Sequence, residues 1–177
     1  SWSVGQCAGA SFTGSTRLIT AGIQQPDPVW MLLNARVLLG GPYNTGTGLM
    51  NDGLRSASLV PTTEPYTAAG FPQAGEGGGE QVAPGVLAAS GNNAVVDWVF
   101  VELRDASIAQ HVFSTRCGLV QRDGDVVDTD GSSPLRISAV PGNYHVAIRH
   151  RNHLPVMTLN PVAFGTAPVS LNFTSAA

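Results

Sequence analysis

Four of the chain's twelve acidic residues fall within eight positions, Asp123-Gly124-Asp125-Val126-Val127-Asp128-Thr129-Asp130, and Gly131 follows at once. Carboxylates repel one another, so that density calls for a cation or for several basic side chains. Calcium answers the first requirement. It is a hard ion that takes about six to eight oxygen ligands, and short Asp/Gly loops present carboxylate and carbonyl oxygens together. Asp123, Asp125, Asp128 and Asp130 are therefore the candidate metal ligands. The competing reading is a hairpin turned by Asp123-Gly124, with Asp128 and Asp130 capping backbone amides or pairing with Arg122 and Arg136.

A second group lies downstream. Of the four histidines, His145, His150 and His153 are close together in Asn143-Tyr144-His145-Val146-Ala147-Ile148-Arg149-His150-Arg151-Asn152-His153. On an extended strand His145 and His150 face opposite sides, so His150 and His153 are the pair that a bend can bring together. Such a pair can bind zinc or copper, but Arg149 and Arg151 beside it repel a cation. Hydrogen bonds from Arg149, His150, Arg151 and His153 to loop carbonyls or to the aspartates are the other use of this segment. Asp97 reads in register with Val95, Val99, Val101 and Leu103, which points its carboxylate into an apolar face. A charge buried there needs Arg149, His150 or backbone amides as partner, or else acts as an acid of raised pKa. No Gly-x-Ser-x-Gly elbow and no phosphate-cradling glycine loop accompanies it, so no catalytic set is identified. Trp30, Tyr43, Tyr66 and Phe71 sit in or beside loops, where ring faces can stack on sugars. Trp98 and Phe100, mid-strand and opposite Asp97, read as core.

The elements that hold these residues are strands. With 21 glycines and 12 prolines among 177 residues, and only 12% charged residues, the composition favours short strands and many turns. Strands read at 35–39, 94–103, 111–120, 135–138, 143–149, 156–159 and 169–173, with clean alternation over 143–149. The 94–103 segment is apolar on both faces, as a central strand is. Pro141-Gly142 suits a type II turn between two of them. The expected fold is all-β, an antiparallel β-sandwich of immunoglobulin-like or prealbumin-like type, over 33–177. An N-terminal arm or linker spans 1–32, and a long irregular region spans 42–93 with one helical turn at 49–55. A loop region of that length is a candidate binding surface.

All nine basic residues are arginine and the net charge is −3, so no basic stripe exists to follow a nucleic-acid backbone. No apolar run reaches membrane-spanning length. Cys7 and Cys117 are too far apart for a zinc or redox motif; a disulfide between them and two separate thiols both remain open. The start at Ser1, without a charged or apolar leader, reads as a piece cut from a longer secreted precursor with other domains.

The run from Val96 to Leu154 resembles the prealbumin-like, collagen-adhesin B-type modules of secreted bacterial surface proteins. The likeness is carried by the strand ending Leu103-Arg104-Asp105, the Asp/Gly turn at 123–131 and Val140-Pro141-Gly142-Asn143-Tyr144-His145-Val146. The aspartate spacing also resembles calcium loops of the EF-hand and dockerin types, with one residue inserted and no bidentate Glu following. The resemblance implies an extracellular, non-catalytic module. The expected function is calcium-supported binding of polysaccharide or a cell surface through Trp30, Tyr43, Tyr66, Arg149, His150, Arg151 and His153. A secreted metal-dependent hydrolase or oxidative enzyme using His150, His153 and Asp97 is the alternative, and a structural spacer or assembly module is the third.

Overall fold

The computed structural model describes residues 29–175, preceded by the paired segments β1 (Ile19–Thr20) and β2 (Ile23–Gln24). The strands that follow are β3 (Val29–Arg36), β4 (Tyr43–Asn44), β5 (Leu49–Met50), β6 (Val95–Asp105), β7 (Val112–Gln121) and β8 (Asp125–Val127). Then come β9 (Leu135–Ala139), β10 (Gly142–His150), β11 (His153–Met157), β12 (Val162–Phe164) and β13 (Val169–Asn172). One large sheet runs β11-β10-β6-β7-β8-β3-β13, with β12 also on β10 and β9 also on β3. Its pairings are antiparallel except for β13 on β3.

The sheet curls back on itself because one side of each strand is apolar. Met31 and Leu33 of β3 and Leu135 and Ile137 of β9 share a core with Val99, Val101 and Leu103 of β6 and Val146 and Ile148 of β10. This is the all-β, sandwich-like fold. Polar residues alternate outward along β3, where Asn34 and Arg36 are exposed while Met31, Leu33 and Ala35 are buried.

The central strand β6 is buried along nearly its whole length, so its second face needs a cover. The irregular region supplies it. Val60, Tyr66, Phe71, Val82, Val86 and Leu87 pack over Trp98, Phe100, Cys117 and Leu119. The Tyr66 hydroxyl donates to the Trp98 carbonyl at 2.8 Å, and the Trp98 indole donates to the Pro61 carbonyl at 2.8 Å. At Gly77 a Cβ would collide with the Thr115 side chain and backbone, so only glycine lets this loop approach β7 so closely.

Four expectations are corrected. The sheet begins at Val29, not 33, so Trp30 belongs to the domain and not to an arm. A register shift between Val95 and Asp97 places Val95 with Trp98 and Phe100, while Val96 joins the other core; simple alternation fails across a bulge. Of the 49–55 segment only Gly53–Ser56 is helical, Leu49 and Met50 pairing with Asn44 and Tyr43 as a two-strand ribbon. Gly142 does not take a positive φ but opens β10, where the Tyr144 hydroxyl closes the turn on the Val140 carbonyl at 2.6 Å.

Candidate functional site

The four aspartates of the acidic loop each have their own partners. Asp128 is 1% exposed. It accepts hydrogen bonds from the Thr129 amide at 2.7 Å, the Arg116 guanidinium at 3.2 Å, and the Arg136 amide and Nε at 3.2 and 3.1 Å. Burial pushes its carboxyl up, but these donors outweigh burial and hold it below the ordinary value. Asp130 accepts from the Ser132 and Ser133 amides at 2.9 and 2.8 Å. Asp125 pairs with Arg36 at 2.9 Å, and Asp123 accepts the Asp125 amide at 3.2 Å. Burial and then the neighbouring Asp123 raise the Asp125 carboxyl. Arg122 does not join the loop but turns to the Met50 carbonyl and Asp52. Thus guanidinium and amide donors answer the acidic density, each carboxylate separately.

The histidine segment forms a connected chain. His150 Nε2 donates to Asp97 Oδ2 at 3.1 Å, and the Asn152 amide donates to His150 Nδ1 at 3.1 Å. His150 Nδ1 is therefore an acceptor, and His153 Nδ1, 2.9 Å away, must donate to it. His153 Nε2 in turn accepts the Gly41 amide at 3.1 Å. Asp97 also takes the Trp98 amide at 2.8 Å and the Arg151 guanidinium at 2.6 Å, and the net effect of burial and these bonds is a lowered carboxyl. All four ring nitrogens are committed with both rings neutral. A metal bridging the two Nδ1 atoms would need the single ring proton of His153 moved from Nδ1 to Nε2, where it would face the Gly41 N–H. Arg149 points elsewhere, donating to Glu102 at 2.9 Å with its guanidinium 4.7 Å from the Phe71 ring centre. His145 donates from Nδ1 to the Thr158 carbonyl at 3.0 Å, outside this chain.

The candidate aromatics separate. Tyr66 is 0% exposed, which corrects its assignment as a stacking residue, since a ring with no accessible face cannot meet a sugar. Tyr43 is half-buried against the main core. Trp30 is 49% exposed, with the Arg116 and Arg136 guanidinium carbons each 5.8 Å from its ring centre.

Trp30 belongs to a surface that sequence reasoning missed. Directly paired residues project to the same side of a sheet, so the outward row Trp30, Leu32, Asn34, Arg36 of β3 is joined by neighbours in register. These are Ser138 and Arg136 on β9, Ser170 and Asn172 on β13 and Asp125 on β8. The row spans about 20 Å at roughly 3.3 Å per residue. Its Arg36 end opens into a groove of about 440 Å³ where the polar Asn34, Arg36, Asp125, Ser132, Ser133 and Asn172 stand beside the apolar Ala35, Val126, Val127, Pro134 and Leu171. Alternation of Asn34 and Arg36 with Leu33 and Ala35 is the signal for it in the sequence, and a domain boundary at 33 cuts Trp30 and Leu32 off from that row.

Beneath the cover loop, ligand atoms of Glu64, Glu80 and Cys117 lie within 4.8 Å of one another. The carboxylates serve as anchors: Glu64 accepts the amides of Tyr66, Thr67 and Gly79 at 2.7, 3.0 and 3.0 Å. Glu80 accepts those of Gly78 and Cys117, each at 3.1 Å. Burial, then the two carboxylates, push the Cys117 thiol far above its ordinary value, so it stays protonated and rests 3.5 Å from Glu64. Cys7, its suggested disulfide partner, lies outside the described residues.

No protein-family model matches the chain, and no curated protein or solved structure matches it.

Proposed function

We propose that the domain is a non-catalytic module of a secreted protein that binds a polysaccharide along the outer face of β3. The observation that carries this reading is the in-register row that joins a half-exposed indole to a groove whose mixed lining presents hydroxyl, amide and guanidinium groups beside apolar side chains. An indole gives an apolar face for a sugar ring, while Asn, Ser, Arg and Asp side chains supply both donors and acceptors for hydroxyls. The guanidiniums on this face are already balanced, Arg36 by Asp125, Arg136 by Asp128, and Arg116 by Asp128 and Glu80. That charge balance favours a neutral glycan over a uronate or sulfate polymer. The pattern resemblance of residues 96–154 to extracellular β-sandwich modules supports the same class.

The test is retention on neutral and acidic polysaccharides by affinity electrophoresis, with Trp30→Ala and Arg36→Ala variants. Each variant is expected to weaken retention about tenfold, the loss of roughly 1.4 kcal/mol, with thermal unfolding little changed because both side chains are largely exposed. Wild-type protein retained by no polysaccharide overturns the proposal.

A second reading, an enzyme using Asp97, His150 and His153, is favoured by the convergence of those three side chains. The adjoining cleft, however, is lined by apolar residues with Arg149, His150, Asn152 and His153, and supplies no nucleophile.

A further inference from the structure

Two carboxylates and a thiol converge at the edge of the second core. The cover loop folds back on itself through a bridge between Thr63 and Gln81, and next to it the Glu64 amide donates to the Glu80 carbonyl at 2.9 Å. Glu64 and Glu80 are therefore directly opposed, and opposed residues project to the same side. That side faces Cys117 of β7. One oxygen from each carboxylate and the sulfur lie within 4.8 Å of one another, and all three residues are buried.

The charges around this cluster do not cancel. Among the described residues Glu64 pairs with no guanidinium, and Glu80 has Arg116 at 3.7 Å, which also serves Asp128 together with Arg136. Three buried carboxylates thus share two guanidiniums, and one negative charge is left over where charge is costly. A divalent cation that displaces the Cys117 proton makes the set neutral, because the ion and the two guanidiniums then match three carboxylates and a thiolate.

We propose that Glu64, Glu80 and Cys117 bind a zinc-class divalent ion beneath the cover loop, one oxygen from each carboxylate and the thiolate serving as ligands and water completing the set. In a tetrahedral site with zinc–sulfur bonds of about 2.3 Å and zinc–oxygen bonds of about 2.0 Å, a sulfur and an oxygen ligand stand about 3.5 Å apart. Cys117 Sγ and Glu64 Oε2 are 3.5 Å apart. A thiolate in the set selects zinc over the hard ions calcium and magnesium.

The amides already in place suit this role. A carboxylate offers about four lone-pair sites. Glu64 accepts the amides of Tyr66, Thr67 and Gly79 and meets the thiol with what remains, while Glu80 accepts those of Gly78 and Cys117. An ion in the place of the thiol proton leaves every one of these amide bonds intact, as outer donors that orient the ligands. Gly78 and Gly79 take φ of +99° and +77°, a backbone region open to glycine, as they turn their amides to the carboxylates. Gly79 is exposed, so the path from solvent to Glu64 crosses one residue of the loop. Binding is a proton exchange: the thiol gives its proton to solvent as the sulfur–metal bond forms, with no change of oxidation state. Burial and the two carboxylates otherwise keep that proton on sulfur, so affinity rises with pH. The site is independent of the polysaccharide reading, which concerns the outer face of β3.

Cobalt(II), a spectroscopic stand-in for zinc, tests the site in the full chain, kept reduced and freed of metal by chelator. The expected result is a single bound ion with a sulfur-to-cobalt charge-transfer band in the near ultraviolet, erased by added zinc and formed at lower cobalt concentration as the pH rises. Cys7→Ser is expected to keep the band and Cys117→Ser to lose it. Glu80→Gln, which keeps the shape and an acceptor oxygen, is expected to weaken cobalt binding at least about tenfold. His153→Gln is expected to change nothing, because the histidine pair lies outside this set. Absence of the band with cobalt in large excess overturns the proposal. So does a band that survives Cys117→Ser, one that depends on Cys7 or His153, or undiminished binding by Glu80→Gln.

Discussion

Glu64 ties two stretches of the cover loop to each other above the sheet, and its removal gives a measurable test of how the second core is held. Its carboxylate is 4% exposed and accepts three backbone amides, from Tyr66, Thr67 and Gly79. A hydrogen bond to a charged group contributes roughly 1.5–3 kcal/mol, and amides left buried without acceptors add their own desolvation cost. Because the three share one carboxylate and the loop can relax, Glu64→Ala is expected to cost about 4 kcal/mol in total, well short of a plain sum. With a urea dependence of about 2 kcal/mol per molar, the unfolding midpoint should fall by about 2 M. Trp98 lies beneath this cover, so its fluorescence should change before far-ultraviolet circular dichroism if the loop detaches first. Glu64→Gln keeps the shape and one acceptor oxygen but turns an NH₂ toward amide donors, and should lie between the two. The pH dependence supplies a separate readout. Burial raises the Glu64 carboxyl, yet the bonds from Thr67, Gly79 and Tyr66 outweigh it and leave the folded value below 4.5. A lowered folded-state value means the stabilisation is complete above about pH 4.5 and is lost as the pH falls through the folded value. The gap between wild type and Glu64→Gln should therefore narrow below pH 4.5. A midpoint drop under 0.3 M for Glu64→Ala, by both probes, would refute the anchoring argument.

Two further outcomes concern the acidic loop. Asp128→Asn removes the charge that faces both Arg116 and Arg136 in a buried position; a loss of about 3–5 kcal/mol follows, or a fall of about 10 °C in the melting midpoint. A calorimetric shift of less than about 2 °C would show that the arginines find other partners. Calcium added in excess after chelator treatment is expected to leave the melting midpoint unchanged, because each aspartate already has its own donors. A ligand at a hundredfold excess over its Kd would add about 2.7 kcal/mol, so a calcium-dependent rise abolished by Asp123→Asn with Asp125→Asn would establish the loop as an ion site.

Strand content was legible wherever alternation or a doubly apolar run extended over several residues, as in β6, β7, β9 and β10. Those patterns report which side of a strand is buried, and burial of that side is what drives the sheet to close. The role of the 42–93 region was not legible. Its glycines and prolines correctly indicate irregular backbone, but irregular backbone can serve as a binding surface or as a lid on a core, and composition is the same for both. The deciding facts are contacts: Glu64 and Glu80 reach amides across the loop and on β7, and Tyr66 reaches the Trp98 carbonyl on β6. Similarly, Asp97's need for a partner followed from its place in an apolar strand, and His150 and Arg151 meet it. The link from His153 to Gly41 joins residues 112 apart and no local pattern foretells it.

The acidic loop shows how two compositional oddities can answer each other without sequence making the connection. Four aspartates in eight positions stand out, and so do nine arginines with no lysine. Arginine's planar fork places several donors on one carboxylate at fixed geometry, which a lysine ammonium on its flexible stem does not. Pairing the two sets requires the sheet. Arg36 reaches Asp125 because β8 pairs with β3 at that register, and Arg136 reaches Asp128 because β9 returns along the same strand. Arg116 completes the set from β7, the strand before the loop. The same three arginines lie beside Trp30 or along the outer row of β3, so the interactions that neutralise the loop also set the charge of the surface offered to a ligand. Neutralising Asp125 or Asp128 should accordingly shift that surface toward acidic glycans, a change of preference that loss of fold alone would not produce.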